Sequence, residues 1–210
     1  MRIVHFETID STNTYLKDRY QTLDDLCFVF ADTQSQGRGR NGRFWQSHKG
    51  NLMFSLLLKD ERYLRIYDSL TLIPALAIVK VLEGYGLRPM IKWPNDVYVD
   101  DRKICGILAE SVSREKMECL IIGTGFNVNE EGFTGDFVHE PTSMKIECGH
   151  DIDLADLRQR VVESYLEYLD KAVQGTDFHD EISQYDYLAG RRVYAQIDGE
   201  KKEVRVVRIG

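Results

Sequence analysis

Apolar and polar positions alternate along RIVHFE (2–7) with the period of two that a half-buried strand requires. The Ser/Thr cluster of DSTNTYLKDRYQ follows, which predicts a helix from about Ser11, where a hydroxyl can cap free N–H groups. LCFVFAD (26–32) is a continuous apolar run of strand length, rich in β-branched and aromatic residues, and predicts a buried strand. NLMFSLLLK (51–59) predicts another, leaving 33–50 as a long loop, a length that in compact domains is usually functional or disordered. Over 65–83, Ile66, Leu70, Ile73, Leu76 and Ala77 recur at helical spacing, with Pro74 kinking the helix or starting a turn. PMIKW, DVYVDD and RKICGILAES then predict strands, with Asp100-Asp101-Arg102 as the tight connection of a hairpin, and KMECLIIGTGFNVN (116–129) adds a strand ending in glycines. Leu154, Leu157, Val161, Tyr165, Tyr168 and Ala172 mark an amphipathic helix behind an Asp153 cap, and 176–188 holds a shorter one. From Gly190 the chain reads as two strands around Asp198-Gly199, a strong hairpin signal. Two strands alone are marginal, so this hairpin either packs on the main domain or opens a small β-domain. The order predicts an α+β fold: a mixed sheet with helices on one face over 1–188, then a C-terminal β segment over 189–210.

Composition narrows the function classes. A chain of 210 residues, 43% hydrophobic and 29% charged, can bury a substantial core. The net charge of −7 argues against broad attraction to nucleic acid, so the basic residues near 36–49 are a local feature. The N-terminus lacks an apolar signal region, and the longest uncharged stretch, Ser69 to Val79, is too short to span a bilayer, so a cytoplasmic, membrane-free protein is expected. Cys27, Cys105, Cys119 and Cys148 are scattered with no CxxC pair, which predicts buried free thiols and neither a zinc site nor a disulfide framework.

The candidate chemistry lies first in QGRGRNGRFWQS (36–47). Gly37-x-Gly39-x-x-Gly42 formally matches a dinucleotide fingerprint, but that motif needs a helix opening at its third glycine, and here Arg43-Phe44-Trp45 leads to more loop and a strand. Neither GxxxxGK[ST] nor GxSxG occurs. Glycines that let N–H groups turn inward, joined to forked guanidinium donors, suit a phosphate or carboxylate. The alternative is a solvated basic loop; Trp45 argues for a ligand, since a large aromatic beside arginines can stack on a ring or close over it. The loop is expected to be mobile when empty and ordered by its ligand. Lys92-Trp93-Pro94-Asn95-Asp96 offers a phosphate contact, an amide and a carboxylate able to ligate Mg²⁺, or else a Trp-Pro turn with solvated neighbours. Lys103, at the entrance of an apolar strand, either delivers charge to a cleft or snorkels to solvent.

Taken together, DSTN (10–13), QSQGRGRNGRFW (34–45), NLMFSLLL (51–58), KWPND (92–96), DRKICGILAE (101–110) and IGTGFNVN (122–129) resemble the biotin protein ligases in order and spacing, strongly over about 8–130 and weakly beyond. The resemblance implies a biotin/lipoate ligase-like catalytic domain followed by the start of an SH3-like β-domain. It implies that biotin and MgATP form biotinyl-5′-adenylate, whose biotinyl group passes to a lysine of a biotin carboxyl carrier protein. Biotin is then substrate, ATP with Mg²⁺ is co-substrate, and no tightly bound prosthetic group is expected. By matching position, Ser11, Thr12, Asn13 and Gln34 would line the biotin pocket, and Gly37 and Gly39, with the backbone around Arg38, would cover biotin and the adenylate. Arg40 and Arg43 would hold phosphates, Trp45 would pack against adenine, and Lys103 would contact the biotin carboxylate and α-phosphate, making Lys103 and Arg40 the catalytic cations. Lys92, Asn95 and Asn127 would meet the nucleotide, and Asp96 would bind Mg²⁺ or receive the acceptor lysine. Met1 stands ten residues before Ser11, so no helix-turn-helix is expected before the ligase region and DNA is not an expected partner. Strand edges leave a homodimer open. A lipoate or octanoate ligase or transferase shares the fold, but its RRxSGGGxVxH-type loop is unlike GRGRNGRFW; a biotin or nucleotide sensor without turnover is the non-enzymatic alternative.

Overall fold

The computed structural model describes residues 1–67, 70, 72–197 and 199–207. Among them, β1 (Arg2–Ile9), β2 (Cys27–Gln34), β3 (Leu52–Leu58), β4 (Pro89–Lys92), β5 (Asp96–Val99), β6 (Arg102–Ser113) and β7 (Met117–Phe126) form one sheet in the order β1-β2-β3-β7-β6-β5-β4. α1 (Thr12–Arg19) crosses between β1 and β2, which are therefore parallel, and the other neighbours pair antiparallel. The sheet is mixed, as the order of elements predicts.

Side chains alternate across a strand, and here the two sets meet different partners. Phe28, Phe30, Phe54, Leu56, Leu58, Leu120 and Ile122 join the larger core with α3 (Leu72–Glu83) and α5 (Leu154–Val173). Cys27, Val29, Leu57, Cys119 and Ile121 form a smaller cluster with Leu16 of α1. The two long helices share one face, as expected, and α1 covers part of the other. Tyr165 of α5 sits in the larger core with its hydroxyl 2.7 Å from Thr124 Oγ1, so its one buried polar atom has a partner. Cys27, Cys105 and Cys119 are buried free thiols and Cys148 is half-buried.

Local signals explain most boundaries. Ser11 caps α1, and the Asp153 carboxylate accepts from the N–H groups of Ala155 and Asp156 at the start of α5. Asp100 and Asp101, at φ 47° and 64°, take the two left-handed positions of the tight β5–β6 turn. The helix expected over 65–83 begins only at Leu72, because a separate turn of helix, α2 (Glu61–Leu64), is capped by Asp60. Pro74 then falls in the first turn of α3, where its missing N–H has no intrahelical acceptor to lose. α4 (Met144–Cys148) was not legible, being too short to show a period; α6 (His179–Gln184) lies within the expected 176–188. β8 (Arg192–Ile197) and β9 (Glu200–Arg205) pair as a separate two-stranded sheet, with Gly199 at φ 79° in the turn; Asp198 of the expected hairpin lies outside the described residues, as does Ser69. Arg191 ties this hairpin to the main sheet through Asp101 at 2.6 Å. No described helix is long and apolar enough to cross a membrane.

Candidate active site

On the α1 face the three central strands change character along their length. The registers place Leu57, Ile121 and Glu110 side by side, then Ser55, Gly123 and Leu108, then Met53, Gly125 and Gly106. The large cover of the α1 cluster thus gives way to a hydroxyl and three glycines, and the missing side chains leave the floor of a cavity of about 660 Å³. What closes over that floor cannot tolerate a Cβ. An added methyl at Gly125 would stand 2.3 Å from Trp45 Cε2, at Gly106 2.7 Å from Trp45 Cζ3, and at Gly123 2.2 Å from Asn13 Oδ1.

One end of the cavity is polar and uncharged. Ser11, the extended N-cap, and Thr12 and Asn13 of the first turn arrive together at the start of α1, each at most 5% exposed. Thr12 N–H donates to Gln34 Oε1 at 2.8 Å, Thr12 Oγ1 lies 2.6 Å from Ser55 Oγ, and Ser55 Oγ donates to Asn13 Oδ1 at 2.5 Å. Asn13 Nδ2 donates to Glu110 Oε2 at 2.7 Å. Ser55 and Glu110 were missed by sequence reasoning; a lone hydroxyl inside the apolar run LMFSLLL was the available signal for Ser55.

The 33–50 segment is more ordered than a loop. Gly39 N–H donates to Arg43 O at 2.7 Å and Trp45 N–H to Gly37 O at 3.0 Å, drawing 37–45 into a narrow hairpin whose tip is a turn of 3-10 helix at Arg40–Gly42. Left-handed geometry falls at Asn41 and Gly42, φ 58° and 71°. Gly37 is required instead by proximity, since a Cβ there would lie 2.6 Å from Trp45 O. The hairpin roofs the cavity: Arg40 reaches across to Asn95 Oδ1 at 3.0 Å, and Trp45 lies on Gly106 and Gly125 with its Nε1 buried and without a hydrogen-bond partner. The Arg38 guanidinium bonds Thr14 Oγ1 at 3.1 Å and lies 3.7 Å from Glu110, while the residue also lines the cavity. Arg43 lines the rim.

The opposite wall is cationic. Lys103 Nζ sits 2.8 Å from Asp96 Oδ1 and 5.2 Å from the centre of the Trp45 ring. Asn95 Nδ2 is fixed on Ile107 O at 2.9 Å, which aims its oxygen at Arg40. Lys92 Nζ lies 2.9 Å from His139 Nε2. Burial lowers the Lys92 ammonium below its ordinary range, against the pull of Asp96 and with help from Lys103 and Arg191. Burial, then the charge of Lys92, likewise lowers His139, another pocket residue that no sequence motif announced. Asn127 lines the cavity with its Nδ2 held by Thr142 O at 3.0 Å. Asp96, Glu130 and Asp136 are the carboxylates that line the cavity, and among the described residues no three His, Cys, Asp or Glu side chains cluster to hold a metal by themselves.

Every sequence-derived candidate except Gly37, whose backbone supports the roof, lines this one cavity. The bifunctional ligase/repressor BirA of Bacillus subtilis is 37% identical over 139 residues, 64% of this chain and 43% of that protein. The Escherichia coli BirA is 33% identical over 169 residues, 78% of this chain and 53% of its own length, so the chain spans about half the length of these relatives. The biotin protein ligase of Aquifex aeolicus in complex with biotin and ATP has the same fold, with a TM-score of 0.88 at 28% identity over 100% of this chain and 88% of that one. A model described as the biotin/lipoate A/B protein ligase family matches residues 5–127, more than half the chain and all the strands that build the cavity floor; the chain belongs to that family.

Proposed function

We propose that this chain joins biotin to ATP as biotinyl-5′-adenylate and then transfers the biotinyl group to a lysine of a biotin carboxyl carrier domain. The observation that carries the reading is the polarity of the cavity: a neutral, hydrogen-bonding closed end suits a cyclic urea, and a cationic mouth suits a carboxylate meeting a triphosphate. The solved Aquifex relative holding biotin and ATP supports the same pairing of ligands.

In the first step a biotin carboxylate oxygen attacks the α-phosphorus and the bond to pyrophosphate breaks. Two anions must approach, and Lys103 and Arg40 supply the opposing charge, fixed in advance by Asp96 and Asn95. Arg43 and Lys92 neutralise the remaining phosphates while Asn95 steadies Arg40, Trp45 closes over the adenylate, and Asn127 holds the Thr142 wall. Asp96 would hold Mg²⁺ together with the phosphates, and the ion would supply further charge neutralisation. In the second step the neutral acceptor amine attacks the acyl carbon and AMP leaves, while the roof keeps water from the anhydride. In the alternative role, with no metal on its carboxylate, Asp96 would receive the acceptor lysine and take the proton the amine sheds. The separate β8–β9 sheet supports a boundary near 188/189 and the start of an SH3-like unit.

The test is exchange of labelled pyrophosphate into ATP. Exchange that depends on biotin is expected; exchange with lipoate alone makes the chain a lipoate ligase, and binding of biotin without exchange makes it a sensor.

A further inference from the structure

Glu110 does not line the cavity, yet it anchors a row of buried hydrogen bonds that ends there. We propose that Glu110 is the positioning residue that sets the hydrogen-bond polarity of the closed end, so that Thr12 presents a lone pair, and no proton, to the ligand. This rests on the biotin reading above and deepens it.

The direction of each bond follows from the first. A carboxylate only accepts, so the Asn13 atom 2.7 Å from Glu110 Oε2 is the amide nitrogen and the amide oxygen faces the other way. That oxygen receives the single proton of Ser55 at 2.5 Å. Ser55 Oγ is left with lone pairs, and Thr12, 2.6 Å away, must supply the proton between them. The longer 3.1 Å approach of Thr12 Oγ1 to Gln34 Oε1 yields to this bond, since Gln34 Oε1 already accepts from the Thr12 backbone N–H at 2.8 Å. Gln34 Nε2 is then turned toward Gly37, on the roof side, as the donor of the pair. Asn13, Ser55 and Thr12 are 5%, 0% and 3% exposed, so solvent cannot substitute for a wrong orientation, and an unsatisfied group there is costly. The amide fills the space that any side chain at Gly123 would take, a Cβ there standing 2.2 Å from Asn13 Oδ1. The result is a closed end with a hydroxyl acceptor beside an amide donor, the complement of N–H beside C=O in a cyclic urea.

Glu110→Gln tests the polarity, because a glutamine can donate and lets the whole row reverse. Titration calorimetry on the full chain compares biotin with the cyclic carbamate analogues, in which an ether oxygen replaces one ureido N–H. Wild type is expected to bind at least one analogue tenfold or more weakly than biotin. In Glu110→Gln, biotin is expected to weaken about tenfold and the gap to that analogue to close, the loss of one well-formed hydrogen bond. The double variant Glu110→Gln/Asn13→Asp exchanges the two groups, again shows Ser55 an acceptor, and is expected to recover affinity to within about threefold of wild type. Glu110→Gln with unchanged biotin binding and discrimination overturns the proposal. So does a parallel loss for biotin and analogues with a lowered unfolding midpoint, which is what a merely structural role gives, or a double variant no better than the worse single. A wild-type chain that binds lipoate and not biotin overturns the ligase reading together with this inference, and is distinct from both.

Discussion

The glycines of the cavity floor act by absence. Gly106 and Gly125 lie next to each other across β6 and β7, and the Trp45 ring occupies the volume their side chains would take. Gly125→Ala is therefore expected to lift Trp45 and with it the roof over Lys103. A displacement of about 1 Å at a reacting centre can cost about 10²-fold, so exchange should fall by that order. The fold should survive, because the methyl meets a movable side chain and no backbone. Pyrophosphate exchange and tryptophan fluorescence read the two effects separately; wild-type rates with unchanged fluorescence would refute the packing argument.

Among the elements, α5 is the longest, 20 residues, and it buries Leu157, Val161, Tyr165 and Leu169 against the larger core. Its first turn relies on Asp153, which satisfies two N–H groups and places a negative charge at the positive end of the helix. Asp153→Ala should lower stability by about 1 kcal/mol, seen as a shift of the urea midpoint at constant slope. Because α5 lies on the face away from the cavity, biotin affinity should stay within about twofold; the helix cap carries no ligand contact. The 37–45 hairpin shows the opposite balance. Its own bonds are few, and it is held by Arg40 on Asn95 and Arg38 on Thr14, contacts that ligands in the cavity can strengthen or replace.

For the whole molecule, the two ends of one cavity share one roof. The same hairpin carries Gly37 beside Gln34 of the polar end and Arg40 at the cationic mouth. Ordering the roof for one ligand reduces what the second must order, which gives positive coupling. Biotin is expected to tighten ATP binding, and ATP to tighten biotin by the same factor, within the roughly 5–150-fold range of typical couplings. Titration of biotin with and without an ATP analogue that cannot release pyrophosphate, and of that analogue with and without biotin, measures it; equal affinities would show that the roof is already rigid.

The sequence by itself determined the strands, the long amphipathic helix, the helix caps and the Asp100-Asp101 turn, because these depend on neighbours within a few residues: alternation, 3.6-residue spacing, a capping oxygen. It also marked most of the candidate site, since an arginine-glycine segment and KWPND are unusual enough to stand out unpaired. Tertiary structure decided what those residues share. Only strand register sets Ser55, Gly123, Gly125 and Gly106 on one face and gives Asn13 a carboxylate 97 positions away. Only packing explains why Gly37 must be glycine at an ordinary φ, why Arg38 bonds Thr14, and why α3 starts at Leu72 rather than near 65. The physical reason is range: local propensity is written in adjacent side chains, whereas a cavity is the space left between strands, and which residues border it depends on pairings no short stretch contains.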